Sequence, residues 1–170
     1  MDCKWIGAVL IMVGCGGFGL ALCAQHRAEE ASLLKLIRAL DYMTCELQFR
    51  LTPLPDLCRM AGRESSGQVG KVLISLGTEL DSGLDSEVSP TLERVLNGFP
   101  DLPSKTRRNF DLMGSSLGRF DLEGQRNGLD GVRTACRRDL EELNQNRENR
   151  LRSYQTLALC TGAALAILLI

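Results

Sequence analysis

Two uncharged apolar runs, Trp5–Ala24 and Tyr154–Ile170, bracket a middle that carries almost every ionisable residue of the chain. That layout limits the fold more than any motif does. A helix rising about 1.5 Å per residue needs about 20 apolar residues to cross a hydrocarbon core about 30 Å thick, because lipid offers no partner to backbone N–H and C=O groups. The first run meets that length. The second is shorter, but Leu151 extends it and Arg150 and Arg152 can snorkel from the interface. Both read as membrane spans. A cleaved signal peptide would have a shorter apolar core and a small-x-small exit, whereas the first run leaves through Leu22-Cys23-Ala24-Gln25. Leu20-Ala21-Leu22-Cys23 is a poor lipoprotein box, since Leu22 stands where a small residue belongs.

Only Lys and Arg close to the spans set orientation, because long segments translocate regardless of charge. His26, Arg27, Lys35 and Arg38 follow the first run, and Arg137, Arg138, Arg147, Arg150 and Arg152 precede the second. Lys4, opposed by Asp2, stands almost alone on the far side. The expected organisation is therefore a transmembrane helix over residues 1–24, a cytoplasmic domain over 25–153 and a second transmembrane helix over 154–170, with both termini outside.

The middle is long enough for one compact domain with a modest core. With 20 basic and 21 acidic residues in the chain there is no electrostatic footprint for nucleic acid, which is excluded as an expected partner. Of seven cysteines, Cys15, Cys23 and Cys160 fall inside the apolar runs and Cys3 lies just outside one. No C-x-x-C pair occurs, so Cys45, Cys58 and Cys136 read as small hydrophobes in a reducing compartment rather than metal or redox ligands.

Within the middle the apolar spacing is helical throughout. Leu33, Leu36, Ile37, Leu40, Met43 and Leu47 predict one amphipathic helix from Ala28 to about Arg50. Thr52 is the expected cap of a second helix with Pro53 at its first position, Leu54, Leu57 and Met60 inward and Gly62 as its stop. Val69, Val72, Leu73, Leu76 and Leu80 mark a third, and Ser89-Pro90 opens a short fourth ending near Gly98. A fifth covers about Ser104 to Leu117, with Gly118 as a left-handed stop. Asp121 caps a sixth, whose stripe of Leu122, Leu129, Val132, Cys136, Leu140 and Leu143 runs on towards Leu151, so helix and second span are expected to form one rod. Gly124, Gly128 and Gly131 weaken its start and mark the place for a bend or disorder. No segment alternates with period two, so the fold class is all-α, a bundle of about six helices between two membrane helices.

Chemistry-bearing patterns are sparse. Gly14, Gly16 and Gly19 spell G-x-G-x-x-G, but inside an apolar run with no preceding strand, which excludes a dinucleotide loop. Close helix approach is the better use: Cys15, Gly19 and Cys23 form one small-x-x-x-small row, Gly17 and Ala21 another, and Gly162 and Ala166 a third on the second span. The lone His26 sits at a membrane boundary, and no nucleophile elbow, zinc spacing or Walker loop accompanies it. No enzymatic activity, cofactor or metal is expected. Glu46 reads as an exposed residue supporting its own helix through Arg50 at i+4, the alternative being an arginine of another helix or of a partner.

Three stretches point further. Ala39-Leu40 with Glu46-Leu47-x-Phe49-x-x-Thr52-Pro53-Leu54-Pro55, then Met113-Gly114-x-x-Leu117-Gly118-x-x-Asp121-x-x-x-Gln125, then the terminal apolar run resemble the stage III sporulation protein AB family of endospore-forming Firmicutes. One departure is Thr91-Leu92-Glu93-Arg94 on the fourth helix, where the family pattern has an aromatic. The resemblance implies a structural protein of the mother-cell membrane facing the forespore, in a channel-like secretion apparatus. It also implies similarity to the inner-membrane platform proteins of type II secretion and type IV pilus systems, whose cytoplasmic domains are six-helix bundles. The implied partners are the cytosolic secretion-type ATPase, stage III sporulation protein AA, and other proteins of the channel. Glu46, Phe49, Thr52, Pro53, Leu54, Leu117, Gly118, Asp121 and Gln125 are the candidate partner-binding positions. A homo-oligomer is compatible with the small-residue rows, and a membrane-anchored helical adaptor without a secretion role is the alternative reading.

Overall fold

The computed structural model describes the backbone of residues 2–50, 52–83, 87–117 and 123–145, and side chains within those ranges from Gln25 onward. Among the described residues there are six helices and no strand: α1 (Asp2–Phe49), α2 (Leu54–Glu64), α3 (Gln68–Asp81), α4 (Val88–Asn97), α5 (Ser104–Ser116) and α6 (residues 123–145). The expected all-α bundle is found.

The helix expected from Ala28 is the second half of something longer. α1 runs unbroken for 48 residues, about 72 Å at 1.5 Å per residue, through the glycines at 14, 16, 17 and 19. Its predicted stripe is completely internal, with Leu33, Leu36, Leu40 and Met43 at 0% exposure. The apolar run Trp5–Ala24 lies on its first half, where side chains fall outside the described set, and so do the packing rows at Cys15, Gly17, Gly19, Ala21 and Cys23. Gly162, Ala166 and the whole run from Tyr154 also lie outside the described residues, as does any junction between α6 and that run. Among the described residues no helix is long and apolar enough to cross a membrane.

α2 and α3 form an antiparallel pair held at unusually short range by glycine. A Cβ on Gly70 would stand 2.1 Å from the Ser65 carbonyl oxygen, one on Gly62 2.8 Å from the Gly70 carbonyl, and one on Gly77 2.5 Å from the Pro55 carbonyl. Gly62 is therefore not the stop it was expected to be. It is buried inside α2, which continues to Glu64, and it is small because Ile74 lies against it. Helix starts also differ from expectation. Pro53 is the N-cap of α2, Pro55 takes the second helical position, and Thr52 caps nothing. α4 begins two residues early, with Glu87 rather than Ser89 as N-cap, so Ser89 and Pro90 lie in its first turn. Proline tolerates any first-turn position because N–H groups there have no intrahelical acceptor, which leaves the exact start to tertiary packing.

α4 packs antiparallel on α5, with Leu92 over Gly114 and Arg107 donating to the Leu96 and Phe99 carbonyls at 2.7 and 2.8 Å. α6 is antiparallel to α5: Ser116 faces Gly128, Arg108 bonds Asp139 and Lys105 bonds Glu142. It crosses α1 where Arg133 donates to Asp41 at 2.9 Å. α6 is helical without a break from residue 123, through Gly124, Gly128 and Gly131, and residues 118–122 before it lie outside the described set. Leu129, Val132, Cys136 and Leu143 are buried as expected. Asp121 and Gly118 lie outside the described residues.

Candidate partner-binding surface

Chain direction gives the bundle two unlike ends. The Lys105 backbone N–H, at the start of α5, donates to Glu29 Oε1 of α1 at 2.9 Å, and its ammonium meets Glu142 of α6 at 2.7 Å. Residues 29, 105 and 142 thus share one end, the root, and α1 leaves the bundle there towards its apolar half. α1 and α5 run away from the root side by side, so their last residues and the first residues of α6 lie at the opposite, distal end.

The distal end is where the first motif folds up. Leu47, 4% exposed, anchors the last turn of α1 in the core, and the Arg50 amide closes that turn on the Glu46 carbonyl at 2.9 Å. The Glu46 carboxylate then holds the corner: it accepts from Thr52 Oγ1 at 3.4 Å and lies 3.8 Å from Arg50. The i+4 pairing with Arg50 is as expected, but Glu46 is not an exposed residue, since only 13% of its side chain is accessible against 69% for Arg50. Burial pushes the Tyr42 hydroxyl pKa upward, and the nearby Glu46 and Glu64 carboxylates push it the same way. Pro53 and Pro55 then aim α2, whose Leu57 amide bonds the Pro53 carbonyl at 2.9 Å.

Phe49 is the exception to this packing. It is 75% exposed at the very end of α1, the most exposed of the large apolar side chains described. Leu54 rests partly buried against the core and Pro53 is exposed. Of the second motif, Leu117 is 1% exposed and structural, and Gln125 sits half-buried on the first turns of α6, at this same end. The corner thus offers one apolar side chain on a stiff, hydrogen-bonded base, suited to docking rather than to bond chemistry.

A family model described as "Stage III sporulation protein AB (spore_III_AB)" matches residues 4–170. The chain belongs to that family. A solved structure titled "Stage III sporulation protein AB (SpoIIIAB)" is similar in fold, with a TM-score of 0.63 and 19% identity, covering 72% of this chain and 98% of that one. Comparison with curated proteins returns no match. Within the stage III sporulation AB frame, the distal corner collects Glu46, Phe49, Thr52, Pro53 and Leu54 in one place, with Gln125 at the same end.

Sequence reasoning missed the polar layer near the root. Asp139, 4% exposed, accepts from Asn109 Nδ2 at 2.7 Å and from Arg108, with Lys105 Nζ 3.9 Å away. The only signal was a two-by-two match, Lys105 and Arg108 on one helix against Asp139 and Glu142 on another. That pairing is visible only once the helices are known to be antiparallel. The glycine seam of α2 and α3 was missed for the same reason.

Proposed function

We propose that this member of the stage III sporulation AB family is a membrane platform of the sporulation secretion-like apparatus between mother cell and forespore. In this reading Trp5–Ala24 and Tyr154–Ile170 span the mother-cell membrane facing the forespore, and the bundle between them lies in the cytoplasm. The observation that carries the reading is the family match over residues 4–170. The root-and-distal polarity of the bundle supports it, because Glu29 of α1 and Glu142 of α6 both meet Lys105 of α5 at the root and leave the Phe49 corner at the end away from it. The partner proposed for that corner is the cytosolic AA-type secretion ATPase, with other channel proteins beside the spans. No catalytic role is assigned to any residue.

Crosslinking in sporulating cells tests this directly. Recovery of the ATPase and channel proteins with the full-length chain is the expected result, together with arrest after engulfment when the gene is deleted. Normal spore yield from the deletion strain would falsify the reading.

A further inference from the structure

α1 fixes how far the bundle stands from the apolar run Trp5–Ala24. The helix is unbroken from Asp2 to Phe49, so Glu29 lies five residues past Ala24, about 7.5 Å along the axis. Its Oε1 accepts the Lys105 amide at 2.9 Å. Helical side chains lean towards the N-terminus of their own helix, so this contact sits nearer the run than the Glu29 backbone does. The polar headgroup layer on each side of a bilayer is about 5–7 Å thick. With the run in hydrocarbon, the start of α5 therefore falls at the edge of that layer. α4 runs towards the root and α5 away from it, so the connection between them is the part of that pair closest to the lipid.

That connection is a built turn. The Phe99 carbonyl accepts the Leu102 amide at 3.2 Å, which closes a β-turn with Pro100 and Asp101 at its corners, and proline presets φ at the first corner. Leu102 is 4% exposed and pins the turn to the core. Arg107 of α5 braces it by donating to the Phe99 carbonyl at 2.8 Å. Pro100 and Asp101 are exposed. A tilt of α1 by about 20° moves a helix packed about 10 Å away by only about 3 Å, so the placement survives ordinary tilting.

We propose that the Phe99–Leu102 turn rests on the phospholipid headgroup layer and acts as a strut that sets the height of the bundle. The proposal builds on the reading of Trp5–Ala24 as a span. Arg27, exposed three residues past Ala24, reaches lipid phosphate, and Asp101 offers an acceptor to a headgroup ammonium. With the turn seated there, Phe49 lies 25 residues beyond Ala24, about 38 Å out from the hydrocarbon along α1.

Quenching of a fluorophore by nitroxide-bearing lipids reads the depth. The full-length chain is reconstituted in vesicles of phosphatidylethanolamine and phosphatidylglycerol, with Cys3, Cys15, Cys23, Cys45 and Cys160 replaced and the buried Cys58 and Cys136 kept. Asp101→Cys, Ser104→Cys and Phe49→Cys each carry the fluorophore in turn, and Cys15 restored alone reports on the span. A headgroup nitroxide should quench the label at 101 at least about threefold more than the label at 49, which lies about 30 Å further along α1, with 104 between them. A nitroxide midway down the acyl chain should quench only the label at 15. Ser104 is also exposed, which keeps the measurement decisive if Asp101→Cys disturbs the turn. Quenching at 101 and 104 no greater than at 49, while 15 is quenched by the deep nitroxide, overturns the strut and leaves the span standing. A label at 15 that the deep nitroxide does not reach overturns the span and the strut together.

Discussion

Gly70 and Gly131 show how little a glycine's identity says without its neighbours. Both are helical, yet a Cβ at Gly70 would overlap the Ser65 and Gly62 carbonyls, whereas one at Gly131 would meet open space. Gly70→Ala should therefore destabilise the bundle by about 2–4 kcal/mol, since backbone cannot give way as a flexible side chain can. Gly131→Ala should stabilise it by about 0.5–1 kcal/mol through helix propensity alone. Urea unfolding of the two variants checks both signs. Cysteines sort in the same way: Cys58 and Cys136 are buried and Cys45 is exposed. Burial pushes the Cys58 and Cys136 thiols from 9.0 up to about 12, with Asp139 adding to the shift at Cys136. Because the folded value lies above the unfolded one, their contribution is complete below pH 9 and is lost as pH rises towards 12, when only the unfolded chain gives up its protons. The free energy of unfolding across that range should fall by up to about 1.4 kcal/mol per pH unit for each thiol, read by urea denaturation. At pH 8 a maleimide should modify Cys45 while sparing the other two until the chain unfolds.

At the scale of elements, α4 depends on a neighbour for its end. It is only 10 residues long, and Arg107 of α5 adds a second donor to the Leu96 and Phe99 carbonyls, which also accept from the Phe99 and Leu102 amides at 3.0 and 3.2 Å. Arg107→Ala should cost about 1 kcal/mol and speed amide exchange in α4 more than in α3. Fraying confined to another helix would show that the cap is not what holds α4. α1 presents the opposite case, a helix whose length comes from continuity. The apolar spacing of Leu33 to Leu47 made its second half legible, because every one of those side chains found the core. That it joins the first half without a break was not legible. A change from an all-round apolar pattern to an amphipathic one occurs equally well within one helix or between two.

For the whole molecule, Phe49 and Cys45 are the useful handles. Phe49→Ser should leave stability within about 0.5 kcal/mol, as the side chain is 75% exposed, and should reduce crosslinking to the ATPase if the distal corner is its seat. Unchanged crosslinking would move the partner surface elsewhere on the bundle. Orientation is best read from Cys45 as the single cysteine, since Cys58 is too buried to report on the side of the membrane. A membrane-impermeant maleimide should leave Cys45 unlabelled in intact cells and label it after lysis, and labelling before lysis would reverse the proposed topology.

Periodicity and family motifs by themselves determined the all-α class, the core face of the bundle helices and the family. Those features are local: a stripe every three or four residues can be satisfied in only one way by a helix on a core. Only the tertiary structure decided which small residues mattered and which charges met. The close approach of α2 to α3 at Gly62, Gly70 and Gly77, the sheltering of Glu46 at the corner and the Asp139 layer all depend on how separate helices meet. Their partners are set by helix direction and contact, and no spacing along one strand of sequence encodes either.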